Sequence, residues 1–117
     1  MGATGILIVF TSPVDGTDEE FNRWYTERHA PDILKLGAAT GFRRYKATGI
    51  PLLPGIPEPA RYAVIYDLHA ETQEEIEQAV ATIQQGMHAG VTDTSTTMDM
   101  SSVQAAFLLP ITDYVSA

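Results

Sequence analysis

One segment concentrates the side chains that could move protons: Glu20-Phe21-Asn22-Arg23-Trp24-Tyr25-Thr26-Glu27-Arg28-His29-Ala30-Pro31-Asp32-Ile33-Leu34. In a helix, residues four apart share a face, so Tyr25, His29 and Ile33 should form one stripe with Phe21 above them. Asp32, three residues beyond His29, can approach the same side. An imidazole with a carboxylate in reach and a phenol one turn back suits acid–base chemistry. The carboxylate would fix the tautomer and raise the basicity of the ring. Each residue also has a plainer reading. Pro31 releases a backbone carbonyl near Glu27, and His29 could serve that carbonyl. Tyr25 reads equally as a core aromatic with a wet hydroxyl, Trp24 as helix–sheet packing, and Asp32 as a partner of a restarted helix dipole.

Asp67 is the second unusual residue. It stands inside an apolar run, on the same strand face as Ala63, Ile65 and His69. A half-buried carboxylate must be paired or hold its proton; pairing with Arg44 or Arg61 is the structural alternative. Arg44 shares its strand face with Phe42 and Lys46, and Arg43 shares the other with Tyr45. One of the two arginines could hold an anionic group in a pocket; the alternative is a solvated sheet edge.

Several chemistries are excluded. The chain has no cysteine, hence no thiolate ligand, disulfide or cysteine nucleophile. Its three histidines, 29, 69 and 88, match no metal spacing, and no metal is expected. There is no Gly-x-Gly-x-x-Gly, Walker or Gly-x-Ser-x-Gly pattern. Fifteen acids against seven bases give a net charge of −8, which repels nucleic acid and anionic membranes. No apolar run approaches the ~20 residues of a membrane span. No signal peptide is read at the start, and a cytoplasmic setting is the expectation.

The elements that position these residues follow from the hydrophobic period. The 117 residues make one domain, 1–117. Residues 5–10 form a strand that is apolar on both faces. Thr17 and Glu20 read as a capping box that opens the first helix, with a break near His29-Ala30 and an end at Gly37. Residues 42–46 form a basic edge strand. The loop 49–59 holds four of the seven prolines. Residues 62–68 form the third strand. Thr72 and Glu75 cap a second helix that runs to Met87. Residues 88–102 read as a loop, and 103–111 as the last strand.

The order βαββαβ is the α+β, ferredoxin-like arrangement: a four-stranded antiparallel sheet with two helices on one face. Strands one and three should be central. Helices cover one face only, yet Ile6, Ile8 and Phe10 are as apolar as Leu7 and Val9. The uncovered face therefore needs a partner, and a homodimer through the sheet face is expected.

The segments Phe21-x-x-Trp24-Tyr25-x-x-x-His29-x-Pro31-Asp32-Ile33, Gly41-Phe42-Arg43-Arg44-Tyr45 and Tyr62-x-x-Ile65-Tyr66-Asp67-Leu68 resemble the EthD-like group of the dimeric α+β barrel superfamily. The resemblance spans about residues 5–112, judged by element order. It implies a ligand pocket between helices and sheet, with the helix histidine, His29, facing it. The superfamily's activities include cofactor-free cyclases, dehydratases, lyases and oxygenases, and haem degradation. The expected function is cofactor-independent acid–base catalysis on a small apolar or aromatic oxygenated compound. His29, Tyr25, Asp32 and Asp67 are the candidate catalytic groups. Trp24, Phe21, Arg44 and Tyr66 are the candidate substrate contacts. A non-catalytic ligand-binding module and, more weakly, a cofactor-free monooxygenase are the alternatives. The proline-rich loop could act as a lid or as an arm that clasps a partner.

Overall fold

Four strands hydrogen-bond in the order β2-β3-β1-β4, and the computed structural model describes residues 4–92 and 94–117. The strands are β1 (Ile6–Pro13), β2 (Ala39–Lys46), β3 (Tyr62–Leu68) and β4 (Met98–Leu108). All three pairings are antiparallel. The two most apolar runs, β1 and β3, are central, and the basic β2 is an edge, as expected.

Register decides what each face carries, because side chains alternate along a strand. Phe42, Tyr66, Leu7 and Phe107 form one row across the sheet, and Arg44, Val64, Val9 and Ala105 form the next. These rows carry the helices: Leu7, Val64, Tyr66 and Leu68 are buried together with Phe21, Tyr25, Ile33, Ile76, Ala79 and Ile83. The opposite face carries Arg43, Ile65, Ile8 and Ala106 in one row. Ile6, Ile8, Phe10 and Ile65 are only half-buried there.

The helical layer is α1 (Asp18–Trp24), a π-helical turn (Tyr25–His29), α2 (Ala30–Lys35) and, after β3, α3 (Gln73–His88). The expected break before Pro31 is this π turn. Proline has no N–H for the ladder and crowds the carbonyl four residues back. The chain widens one turn instead, and the Ala30 N–H donates to the Tyr25 carbonyl, five residues away. Gly37, at φ +88°, takes the left-handed backbone that turns the chain out of α2. Gly86 lets α3 close on α2, since a Cβ there would meet the Leu36 side chain.

Local expectations divide here. The second cap forms, with its return bond one residue early: Thr72 Oγ1 accepts from the Glu75 N–H at 3.1 Å, and Glu75 Oε1 accepts from the Glu71 N–H, rather than that of Thr72, at 3.1 Å. The first does not. Thr17 makes no side-chain cap; its hydroxyl donates to the Val14 carbonyl at 2.7 Å, because the preceding turn offers a closer acceptor.

The loop read at 88–102 is also corrected, because β4 begins at Met98. Its polar start extends the ladder to Ser12 and Pro13 of β1, across a register shift between Phe10 and Ser12. Ser102 makes that possible. Its Oγ accepts from the Ser12 N–H at 2.8 Å and donates to the Asp99 carbonyl at 2.6 Å. A hydroxyl here does the work of a missing backbone partner. The strand ends at Leu108, before Pro110.

Candidate active site

The π turn sets three rings against one another. The Trp24 indole and His29 imidazole stack with centroids 4.7 Å apart and planes 21° from parallel. Tyr25 meets His29 edge-on at 4.8 Å, and Trp24 meets Tyr25 edge-on at 5.6 Å. In a regular α-helix residues 24 and 29 point away from each other. The wider π turn brings residues five apart onto one face, so Trp24 joins the stripe that α-helical spacing assigns to Tyr25 and His29 alone.

These rings form one wall of a cavity of about 310 Å³ between the helices and the sheet. Leu7, Val9 and Thr11 of β1 and Tyr66 of β3 form the floor. Val103, Ala105 and Phe107 of β4, with Ile83 and Met87 of α3, close the far side. Among the described residues no Asp, Glu, Lys or Arg lines it. The lining is nearly all carbon, so an apolar or aromatic body is its natural occupant.

A polar cluster lies behind this wall. The Arg44 side chain rises from β2 to lie 4.7 Å from the Tyr25 ring centroid, 5.6 Å from that of Phe21 and 5.7 Å from that of Tyr62. Its Nη1 donates to Thr26 Oγ1 at 3.1 Å and to the Asn22 carbonyl at 3.3 Å. That carbonyl sits just before the π turn. Arg44 Nε is buried without an acceptor, and among the described residues no carboxylate pairs with this guanidinium.

Tyr25 and Tyr66 are 2% and 1% exposed. The Tyr66 hydroxyl approaches Tyr25 without closing a hydrogen bond of ordinary geometry. Burial pushes the pKa of both phenols above the ordinary value, against the pull of the Arg44 charge. Both are therefore protonated donors at neutral pH. Burial also lowers the pKa of Arg44, against the tyrosines that favour its charge.

The structure thus brings together His29, Tyr25, Trp24 and Tyr66 in the lining. It places the other candidates elsewhere. Phe21 is fully buried and does not line the cavity; it is core. Arg44 stands one side chain behind the lining. Asp32 pairs with Lys35 at 3.4 Å. Asp67 is exposed on the helix-free face, in register with Ile6 and Gly41. Period two puts it opposite Tyr66, so it does not reach the cavity of its own chain. It pairs with neither candidate arginine: Arg44 serves the other face, and Arg61 binds Asp18 at 3.0 Å.

His69 and His88 are exposed. The loop 49–59 is exposed and contributes nothing to the lining. Met98, Met100, Val103 and Phe107 line the cavity beyond the residues expected from sequence. The alternation of Val103, Ala105 and Phe107 is the one sequence signal that marks this face of the strand.

No protein-family model matches this chain, and no curated protein matches it in sequence. Solved structures do match. A mutant of MhuD, solved with two manganese protoporphyrin IX bound per active site, has a TM-score of 0.56 at 15% identity, over 96% of this chain and 99% of that one. HapK from Hahella chejuensis has a TM-score of 0.54 at 12% identity, over 97% and 99%. An EthD family protein from Bacillus halodurans has a TM-score of 0.49 at 16% identity, over 88% and 96%. At such identities the likeness to the MhuD and HapK structures carries the fold alone. This chain shares with them an α+β, ferredoxin-like βαββαβ fold.

Proposed function

We propose that this protein is a cofactor-independent acid–base enzyme of lyase, dehydratase or cyclase type. Its substrate is a small apolar or aromatic compound that carries a carbonyl. One observation supports this reading above the others: His29 lines a largely apolar cavity, whose described polar residues are otherwise hydroxyl-bearing or the Trp24 indole, with its ring held between Trp24 and Tyr25. An imidazole fixed in plane beside a bound carbon acid is placed to take a proton.

In the proposed step His29 takes a proton from the carbon beside the carbonyl. The C–H electron pair becomes a C=C bond, and the carbonyl oxygen takes the negative charge. The protonated Tyr25 phenol donates to that oxygen. Trp24, rather than Asp32 or Asp67, orients the imidazole. The manganese porphyrin belongs to MhuD. A porphyrin's two propionates call for cationic partners, and among the described residues no Lys or Arg lines this cavity; no step is assigned to such a group.

We extend the proposal to assembly: the half-buried apolar face of Ile6, Ile8, Phe10 and Ile65 packs on a second copy as a homodimer.

The test is deuterium exchange in D₂O. A panel of aromatic ketones and 1,3-diketones is followed by NMR for loss of the proton beside the carbonyl. The expected result is protein-catalysed exchange at one or more members, lost in His29→Ala. Exchange that persists in His29→Ala overturns the assignment. Ligand binding with no exchange anywhere favours a non-catalytic binding module.

A further inference from the structure

Among the described residues, the charge around the cavity runs against that of the chain. The protein carries −8, yet among the described residues no carboxylate lines the cavity. Beside it the Arg44 guanidinium has no carboxylate partner among the described residues. It is held by a carbonyl, a hydroxyl and the faces of three aromatic rings. Desolvating an arginine among neutral partners is costly unless a negative charge arrives to meet it. Tyr25 stands between Arg44 and the cavity: its ring covers the guanidinium, and it also lines the cavity. Tyr66 lines the same end and brings a hydroxyl with no partner.

The geometry points to a ligand bound as an oxyanion: a phenolate or enolate, its oxygen at the Tyr25–Tyr66 end and its apolar body toward Val103 and Phe107. This deepens the reading proposed above and rests on the same cavity being the ligand site. Arg44 is a positioning residue in this arrangement. It fixes the Tyr25 ring and supplies a positive field through it, without touching the ligand. Among the described residues, the titratable groups around that end are Tyr25 and His29 of the π turn, Tyr62 and Tyr66 of β3, and Arg44 of β2. Among the described residues β4 and α3 add no titratable side chain to the lining.

The probe is 4-nitrophenol, whose anion absorbs at longer wavelength than the neutral phenol. Binding is followed separately by quenching of Trp24, the single tryptophan. At a pH below the free phenol's pKa, the bound probe should show about tenfold more anion, relative to neutral phenol, than the free probe, the low end of what a nearby cation does because the Tyr25 ring intervenes. Arg44→Met should abolish that enrichment while the probe still binds. Arg44→Lys should keep part of it.

A merely structural role for Arg44 would alter binding in both variants and leave the ionisation of whatever binds unchanged; that outcome overturns the proposal. So does a wild-type complex that holds the neutral phenol, which needs no variant to fold. Absence of any 4-nitrophenol binding to the wild type also overturns it. Proton exchange that depends on His29 stands or falls separately, so failure here does not decide the acid–base reading.

Discussion

Trp24 and His29 lie five residues apart and stack at 4.7 Å. Their contact exists because the helix between them is π-helical, and the helix is π-helical where Pro31 denies it an α-helical bond. A proline outside the cavity lining thus sets the orientation of the imidazole inside it.

Pro31→Ala should let this turn relax to α-helix and rotate His29 away from Trp24. A ring stacked on the indole alters Trp24 emission, so His29→Gln should change the fluorescence of the wild type at a fixed pH. Pro31→Ala should show a similar change and keep its far-ultraviolet circular dichroism. Wild-type emission in Pro31→Ala would show that the π turn does not depend on the proline.

Tyr66→Phe should stabilise the fold by about 1 kcal/mol, because it removes a buried hydroxyl that has no hydrogen bond. Urea denaturation measures this. The same two tyrosines make stability depend on alkaline pH. Their native pKa values lie above the ordinary 10.0. The native state therefore holds protons that the unfolded state releases. This stability is complete below pH 10 and is lost as pH rises from there toward the native values. Tyr66→Phe should reduce the loss.

Phe21→Ala separates core from site. Phe21 is fully buried against Tyr25, with ring centroids 5.5 Å apart. Its truncation should cost about 3–5 kcal/mol, as for other buried aromatics. Thermal unfolding would show it. A loss below 1 kcal/mol would mean that Phe21 is not the core residue its burial indicates.

Ile8→Glu tests the helix-free face. Ile8 lies at its centre, between Ile65 and Ala106. A carboxylate buried in an apolar interface is strongly unfavourable. Sedimentation should show a dimer for the wild type and a monomer for the variant. An unchanged dimer would place the interface elsewhere.

Thr72→Ala and Thr17→Ala should differ. Thr72 accepts the Glu75 N–H, and its loss should cost about 1 kcal/mol. Thr17 caps no helix N–H, so its removal should cost only the contacts of its hydroxyl with the Val14 and Thr97 carbonyls. Paired denaturation curves compare them directly.

The amino-acid sequence by itself determined the element order, the central place of β1 and β3, the edge position of β2 and the break before Pro31. Each rests on local physics: hydrophobic period, charge, and a missing N–H. It also marked His29 and Tyr25, since four residues place two rings on one face in either helix type. Which strand face would meet the helices was not legible. Both faces of β1 and β3 are apolar, so Asp67 and Tyr66 competed for the same cavity although alternation allows it only one of them. Tertiary packing decided for Tyr66 and left Asp67 in solvent. Packing also turned Phe21 into core, drew Arg44 behind Tyr25, and made a strand of the Ser-rich segment at 98–102, where the Ser102 hydroxyl completes a ladder that only the folded partner strand supplies. These outcomes depend on which side chains meet across the sheet, and residue spacing within one element carries no record of that.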